Sequence, residues 1–212
     1  MKYPDNIREV AQLQPDFMGF IFYPNSPRFV GHLDVNTLGA LPTSIKKTGV
    51  FVNENLENIL TAISKYNLNA VQLHGADNLK LCRRIREEAK TIVIKVFPIM
   101  DASNFKVTGD YEEVADYFLF DTKTDLYGGS GQKFNWNILD EYKGNKPFLL
   151  SGGIGIDDVK ALRAIDHPQL AGIDLNSKFE QKPGLKNVTL LKQFLDELNK
   201  PKDEQNKSTI SE

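Results

Sequence analysis

An α/β fold with a parallel sheet, organised as a (β/α)8 TIM barrel, is what this sequence predicts, and three observations carry the prediction. Short apolar runs rich in β-branched and aromatic residues alternate with longer amphipathic stretches on a beat of roughly 20–30 residues, the mark of βαβ units. Nearly every run is followed by a polar or glycine-rich segment: PNSPRF, VNEN, HGAD, DTKT, SGGIG and NSKFE. In a barrel all such strand ends emerge on one face and surround one site. The GxGxxG fingerprint of an open dinucleotide-binding sheet is absent.

Taken in order, the elements show one irregularity. Pro4 and Asp5 suit the first turn of a helix, and Ile7, Val10, Ala11 and Leu13 continue it at helical spacing. Strands are expected at FMGFIF (17–22), TGVFV (48–52), NAVQLH (69–74), TIVIKVF (91–97), DYFLFD (116–121), PFLLS (147–151) and AGIDLN (171–176). Helical stripes lie between and after them, for example Leu56, Ile59, Leu60 and Ile63, and Leu191, Phe194, Leu195 and Leu198. The count is seven strands against eight helices, and the surplus helix is the first. The expectation is therefore a barrel whose first β-strand is missing from this chain. Its strands at 17–22 and 171–176 would be unpaired neighbours open to pairing with another chain. No linker divides residues 1–199, which read as one domain, and the polar, aperiodic 200–212 reads as a disordered tail.

Bulk properties narrow the function. Apolar residues make up 41% and charged residues 25%, and the net charge is -2, which leaves no footprint for nucleic acid. No apolar run approaches the length of a membrane span and no signal-peptide core opens the chain, so a soluble cytoplasmic protein is expected. The single cysteine, Cys82, excludes an internal disulfide and a cysteine-based metal site. It shares the stripe Leu81, Cys82, Ile85 and Ala89, so we assign it to helix packing.

Several strand-end residues could carry chemistry. In LLSGGIGIDD, Gly152 and Gly153 stand between a strand and a helix that starts near Asp157, where backbone N–H groups and the helix dipole suit a phosphate. Asn176 and Ser177 follow the next strand and could add donors. Asp121 ends an apolar strand, so its carboxyl should sit at the barrel mouth, partly shielded from water and able to hold or release a proton. A loop containing Gly128, Gly129, Ser130 and Gly131 follows, suited to closing over a ligand. Each feature also has an ordinary reading: βα turns for the glycines and a cap for Asp121. Arg28 could grip a carboxylate with two parallel hydrogen bonds or be a solvated surface arginine. Gln72 and His74 share one face of their strand and point toward the barrel axis or mouth. No second histidine stands at metal-ligand spacing. Lys95 and Asp174 read as polar residues of the barrel interior.

Together these residues resemble the phosphoribosylanthranilate isomerase family of tryptophan biosynthesis. GFIFYPNSPRFV, GVFVNE, NAVQLHG, FDTKTDLYGGSGQKFNW and LLSGGI occur in that family's order and spacing, almost end to end. The resemblance implies an Amadori rearrangement of N-(5'-phosphoribosyl)anthranilate to 1-(o-carboxyphenylamino)-1-deoxyribulose 5-phosphate, with no metal or cofactor, in a monomer or homodimer. It implies that Asp121 is the general acid and that Arg28 faces the anthranilate carboxylate. Gln72, His74, Gly129 and Ser130 would also contact substrate. Gly152, Gly153, Asn176 and Ser177 would hold its phosphate.

The resemblance also exposes two departures. The family's general base is a cysteine in a K-x-C-G-[IM] motif that ends the first strand, and this chain has no such motif. Met1 aligns with the residue after the motif's glycine. Lys178 stands where the family commonly has a loop glycine. Two further readings accompany the isomerase: a truncated, catalytically impaired relic that retains the ligand-binding loops, and another phosphosugar-binding barrel enzyme. The DTKT–GGSG block disfavours the latter.

Overall fold

The computed structural model describes residues 1–31, 33–76, 79–122 and 133–201. Its centre is a seven-stranded, all-parallel sheet in sequential order: β1 (Phe17–Ile21), β2 (Lys46–Val52), β3 (Ala70–His74), β4 (Ile92–Ile99), β5 (Tyr117–Thr122), β6 (Phe148–Leu150) and β7 (Leu170–Ile173). Each strand hydrogen-bonds its chain neighbour, and no pairing joins β1 to β7 among the described residues. The sheet is a barrel wall with one gap, flanked by the two strands that the sequence left as unpaired neighbours.

The helices explain the alternation that the sequence displays. α1 (Pro4–Ala11) starts on Pro4, whose missing N–H costs nothing in a first turn. It buries Ile7 and Val10 against the end of the chain. α2 (Val35–Gly39) is capped by Asp34, which accepts from the N–H groups of Asn36 and Thr37. α3 (Leu56–Tyr66) is capped by Asn55 and stops at Asn67, whose left-handed conformation ends the helix. α4 (Leu79–Ala89), α5 (Val159–Ala164) and α6 (Val188–Leu198) are the other α-helices among the described residues. The connections after β4 and β5 depart from expectation, because they are 3-10 helices, Ala102–Tyr111 and Trp136–Glu141. Their Ser103, Asn104, Thr108, Gly109 and Asn137 favour local turns over regular α-helix.

Strand alternation sorts the core into two layers. Ala70, Ile94, Val96 and Leu119 meet inside the wall, with Phe17, Ile92, Tyr117 and Leu149 packed against them. Phe17 and Tyr117 touch edge to face there, their ring centres 5.8 Å apart. The opposite faces of the same strands present Phe20, Leu73, Val93, Phe118, Phe120 and Phe148 to the helices. Burying a phenylalanine in this way contributes roughly 1.5–3 kcal/mol, so this outer layer holds most of the apolar drive. Cys82 lies fully buried in it, as its helical stripe implies.

The same alternation corrects one sequence reading. Lys95 shares its parity with Val93 and Phe97, which belong to the outer layer. It is therefore not a residue of the barrel interior. Its ammonium donates to the carbonyls of Gly75 (3.0 Å) and Leu73 (3.4 Å) and stands 5.9 Å from the ring centres of Phe97 and Tyr111. Asp174, just beyond β7, does face inward, opposite Ser151.

After β7 the chain makes a short 3-10 turn (Ser177–Phe179) and an antiparallel hairpin, β8 (Glu180–Lys182) with β9 (Leu185–Lys186). The hairpin is tied to α1 by one side chain. Asn6 donates through Nδ2 to the carbonyl of Lys186 (2.9 Å) and accepts its N–H through Oδ1 (2.7 Å). Asn6 is 3% exposed, so truncating it strands two buried backbone groups. Asn6→Ala should therefore lower unfolding stability by about 2 kcal/mol or more, read from urea unfolding. An unchanged midpoint would show that the contact is dispensable.

Candidate functional site

Parallel strands deliver their C-terminal ends to one rim, and the polar residues singled out from the sequence collect there. Asp121 occupies the penultimate position of β5, with inward parity shared by Tyr117 and Leu119. Its Oδ1 accepts the N–H of Thr122 at 2.9 Å. Burial raises its pKa from the ordinary 3.8 to about 6, and the nearby Asp174 charge adds to the rise. The Thr122 N–H and the Ser151 hydroxyl pull the other way. Asp174 is held in turn by Ser151, whose Oγ lies 3.0 Å from its Oδ2. A carboxyl raised toward neutrality by burial and by a second carboxyl nearby suits acid–base work.

On β3, Gln72 and His74 are both inward, and their Nε2 atoms lie 2.8 Å apart. The Gln72 amide can only donate through nitrogen, so His74 must accept there and carry its proton on Nδ1. That agrees with a pKa lowered to about 4 by burial and then by the Lys95 charge. His74 is a neutral acceptor at neutral pH.

Gly152 follows β6 with φ +97°, and a Cβ there would fall 2.2 Å from Thr122 Oγ1 and 3.0 Å from Asp121 Oδ1. Only glycine permits this close approach of the β6 loop to the β5 carboxyl. Gly153 also has positive φ, +65°. Among the described residues, the N–H groups of both glycines have no hydrogen-bond acceptor. The loop is braced below by Asp158, whose Oδ2 accepts the Gly155 N–H at 2.7 Å while Oδ1 meets Lys133 Nζ at 2.5 Å. The second loop adjoins the first, because a Cβ on Gly155 would lie 3.7 Å from the Lys178 side chain. The loop that carries Asn176 and Ser177 therefore runs next to the loop that carries Gly152 and Gly153.

Arg28 lies in the loop after β1, which folds back so that Phe29 bridges Ile21. It is buried and paired with Glu180: Nη2 to Oε2 is 2.7 Å, and Nε lies 2.9 and 3.1 Å from the two oxygens. The surface-arginine reading is thereby set aside. Glu180 and its second partner, Lys186, are residues that the sequence reading missed; a signal existed in two charges flanking a Pro-Gly turn. Gly129 and Ser130 lie outside the described residues, as do 202–212 of the expected tail. Among the described residues, no three His, Cys, Asp or Glu side chains gather as a metal site would require. No helix among them is long and apolar enough to cross a membrane.

The Asp121 environment has a pH consequence with a definite sign. Its folded pKa exceeds the unfolded one, so between about pH 4 and 6 the folded protein keeps a proton that the unfolded chain releases, and its contribution to stability falls as pH rises. His74 acts in the opposite direction, losing stability as pH falls from 6.5 toward 4. The two slopes oppose one another in the parent, and Asp121→Asn removes only the first. The stability of Asp121→Asn relative to the parent should rise from about pH 4 to about pH 7, by up to about 3 kcal/mol. Urea unfolding across that range tests it, and a flat difference would contradict a buried, proton-holding Asp121.

Comparison with known proteins gives the family. Residues 2–197 match the family model described as N-(5'phosphoribosyl)anthranilate (PRA) isomerase. The chain is 45% identical over 203 residues to the N-(5'-phosphoribosyl)anthranilate isomerase of Parabacteroides distasonis, covering 95% of this chain and 91% of that protein. It is 46% identical to the Phocaeicola vulgatus protein of the same name, covering 93% and 94%. Among solved structures, the phosphoribosyl anthranilate isomerase of Thermotoga maritima superposes with a TM-score of 0.79 at 32% identity, covering 93% of this chain and 95% of that one. A phosphoribosyl anthranilate isomerase in complex with reduced 1-(o-carboxyphenylamino)-1-deoxyribulose 5-phosphate does so at 0.76 and 28%, covering 93% and 94%. A family match over nearly the whole chain, relatives above 40% identity and a shared barrel wall leave one conclusion: this chain belongs to the N-(5'-phosphoribosyl)anthranilate isomerase family.

Proposed function

We propose that the rim carries out the family's rearrangement, converting N-(5'-phosphoribosyl)anthranilate into 1-(o-carboxyphenylamino)-1-deoxyribulose 5-phosphate, with Asp121 as the general acid. The observation that carries this reading is the position of Asp121. It is an inward carboxyl with a pKa of about 6 that the Gly152 turn approaches closely, while the loop after β1 brings in a buried Arg28 guanidinium. The substrate carries the matching groups: a carboxylate on the anthranilate, a ribose ring oxygen and a phosphate.

In this reading Arg28 receives the carboxylate, while Gly152, Gly153, Asn176 and Ser177 receive the phosphate. Gln72 and His74 contact the substrate between them, as would Gly129 and Ser130. Asp121 gives its proton to the ring oxygen as the C1'–O bond breaks, leaving an iminium between C1' and the anthranilate nitrogen. Loss of the C2' proton then forms the enolamine, which rearranges to the C2' ketone as C1' is protonated. Removing that C2' proton needs a base. The family's base is a cysteine, and the only cysteine of this chain is Cys82, buried in α4 on the far side of the sheet. The rim of residues 1–212 therefore supports binding and ring opening better than proton abstraction. For residues 1–212 as they stand, a second reading is a fold that retains its ligand loops with impaired turnover. We place the protein in the cytoplasm, as a monomer or homodimer.

Fluorescence-monitored conversion of N-(5'-phosphoribosyl)anthranilate, with binding of the reduced product analogue measured in parallel, tests the proposal. The purified chain 1–212 should bind the analogue yet turn over about 10^2–10^4-fold more slowly than a cysteine-bearing relative. Asp121→Asn should reduce the remaining turnover further while leaving analogue affinity nearly intact. Full-rate isomerisation by chain 1–212 would contradict the assignment of the base, and absence of analogue binding would contradict the reading of the site.

A further inference from the structure

We propose that Glu180 is a positioning residue that holds both ends of the substrate site in register, fixing the Arg28 guanidinium directly and the Asn176 loop through Lys186. The inference rests on the reading above, in which Arg28 takes a carboxylate and the loops at 152–153 and 176–177 take a phosphate.

The geometry is a chain of buried charges. The Glu180 side chain is 4% exposed, that of Arg28 10% and that of Lys186 8%. Oε2 of Glu180 receives Nη2 and Nε of Arg28, and Oε1 receives Nε of Arg28, the Gly184 N–H at 2.9 Å and the Lys186 ammonium at 3.5 Å. Lys186 then donates to the Asn176 carbonyl (3.0 Å) and to Asn176 Oδ1 (2.7 Å). Glu180 and Lys186 stand opposite each other across the β8–β9 hairpin, so the turn at Gly184 presents both to the rim. The backbone of Lys186 is clamped by Asn6. Every joint from Arg28 to Asn176 is therefore a buried contact with a charged partner, the Glu180–Lys186 step being an ion pair at 3.5 Å.

Two features separate this from a salt bridge that merely stabilises. The guanidinium is a planar fork, and Glu180 occupies its Nε–Nη2 edge, leaving Nη1 with no partner among the described residues. A guanidinium held along one edge cannot swing, so the remaining donor is aimed in advance. The network also reaches past the ion pair to the inward face of the rim: the Asp174 charge acts on the Lys186 ammonium, which donates to Asn176 in the adjoining loop.

The test uses the full chain, with anthranilate and inorganic phosphate as separate probes and calorimetry or ligand-detected NMR as the readout. Glu180→Gln keeps the shape but sets an amide donor against a donor edge. It should weaken anthranilate and phosphate binding by about tenfold each, the scale of one charged hydrogen bond. Lys186→Met should weaken phosphate more than anthranilate. In an Arg28→Met background, Glu180→Gln should cost no further anthranilate affinity while its phosphate loss persists, a pattern that general loosening of the fold would not produce. If Glu180→Gln fails to fold, Glu180→Asp carries the test, with the same double loss expected at smaller size. Parent-like binding of both probes by the folded variant, or loss of only one, overturns the coupling. A parent that binds neither probe overturns the reading of the site itself, and the coupling with it.

Discussion

All seven strands of the sheet run the same way, and the rest of the structure depends on that polarity. A parallel sheet must return each strand by a crossover, so the helices cover one face and the side chains of alternate residues fill the other. It also places every strand's last residues on one rim, which is why Gln72, His74, Asp121, Ser151 and Asp174 meet although they come from four strands or strand ends. The connecting loops then add Arg28 and the glycines without needing precise placement of their own. The cost of the arrangement appears at β1 and β7, whose outer edges have no strand partner among the described residues.

A rim lined with ionisable groups inside a low-dielectric wall is stable only where each group is neutral or matched. Three solutions coexist here. His74 remains neutral, its pKa pushed to about 4. Asp121 is pushed toward neutrality, to about 6. Glu180 stays charged: burial works to raise its pKa, but the Arg28 hydrogen bonds and the Lys186 charge outweigh burial and bring it below the usual value. A titratable carboxyl and a fixed charge are thus produced on different carboxyls by their neighbours alone.

Much of this was legible in the sequence, for physical reasons that also mark where legibility stopped. The strands announced themselves as apolar runs, and Asp121 stood out because a carboxyl at the end of FLF is costly unless it faces a mouth. The leading helix was visible from Pro4, Ile7 and Val10, and with it the gap in the wall. Lys95 was misplaced because strands buried on both faces, such as TIVIKVF, carry no polar alternation to say which side is inside. The 3-10 connections blurred because Ser, Asn, Thr and Gly weaken the helical pattern without replacing it. Glu180 and Lys186 were missed because their partners are set by tertiary structure: Arg28 is 152 residues away, and no local spacing encodes that distance.

The clamp between Asn6 and Lys186 spans 180 residues of chain, and that separation has a consequence in time. A ribosome adding roughly 5–20 residues per second needs on the order of ten to forty seconds to supply the second half of the contact after the first has been made. Throughout that interval α1 has neither β9 nor α6 to cover Ile7 and Val10, so it waits as an exposed amphipathic segment while the strands assemble downstream. An element made early in synthesis is thus among the last to dock. In the cell, the period of greatest exposure to chaperones and proteases is therefore set by the rate of translation, before any property of the finished fold comes into play.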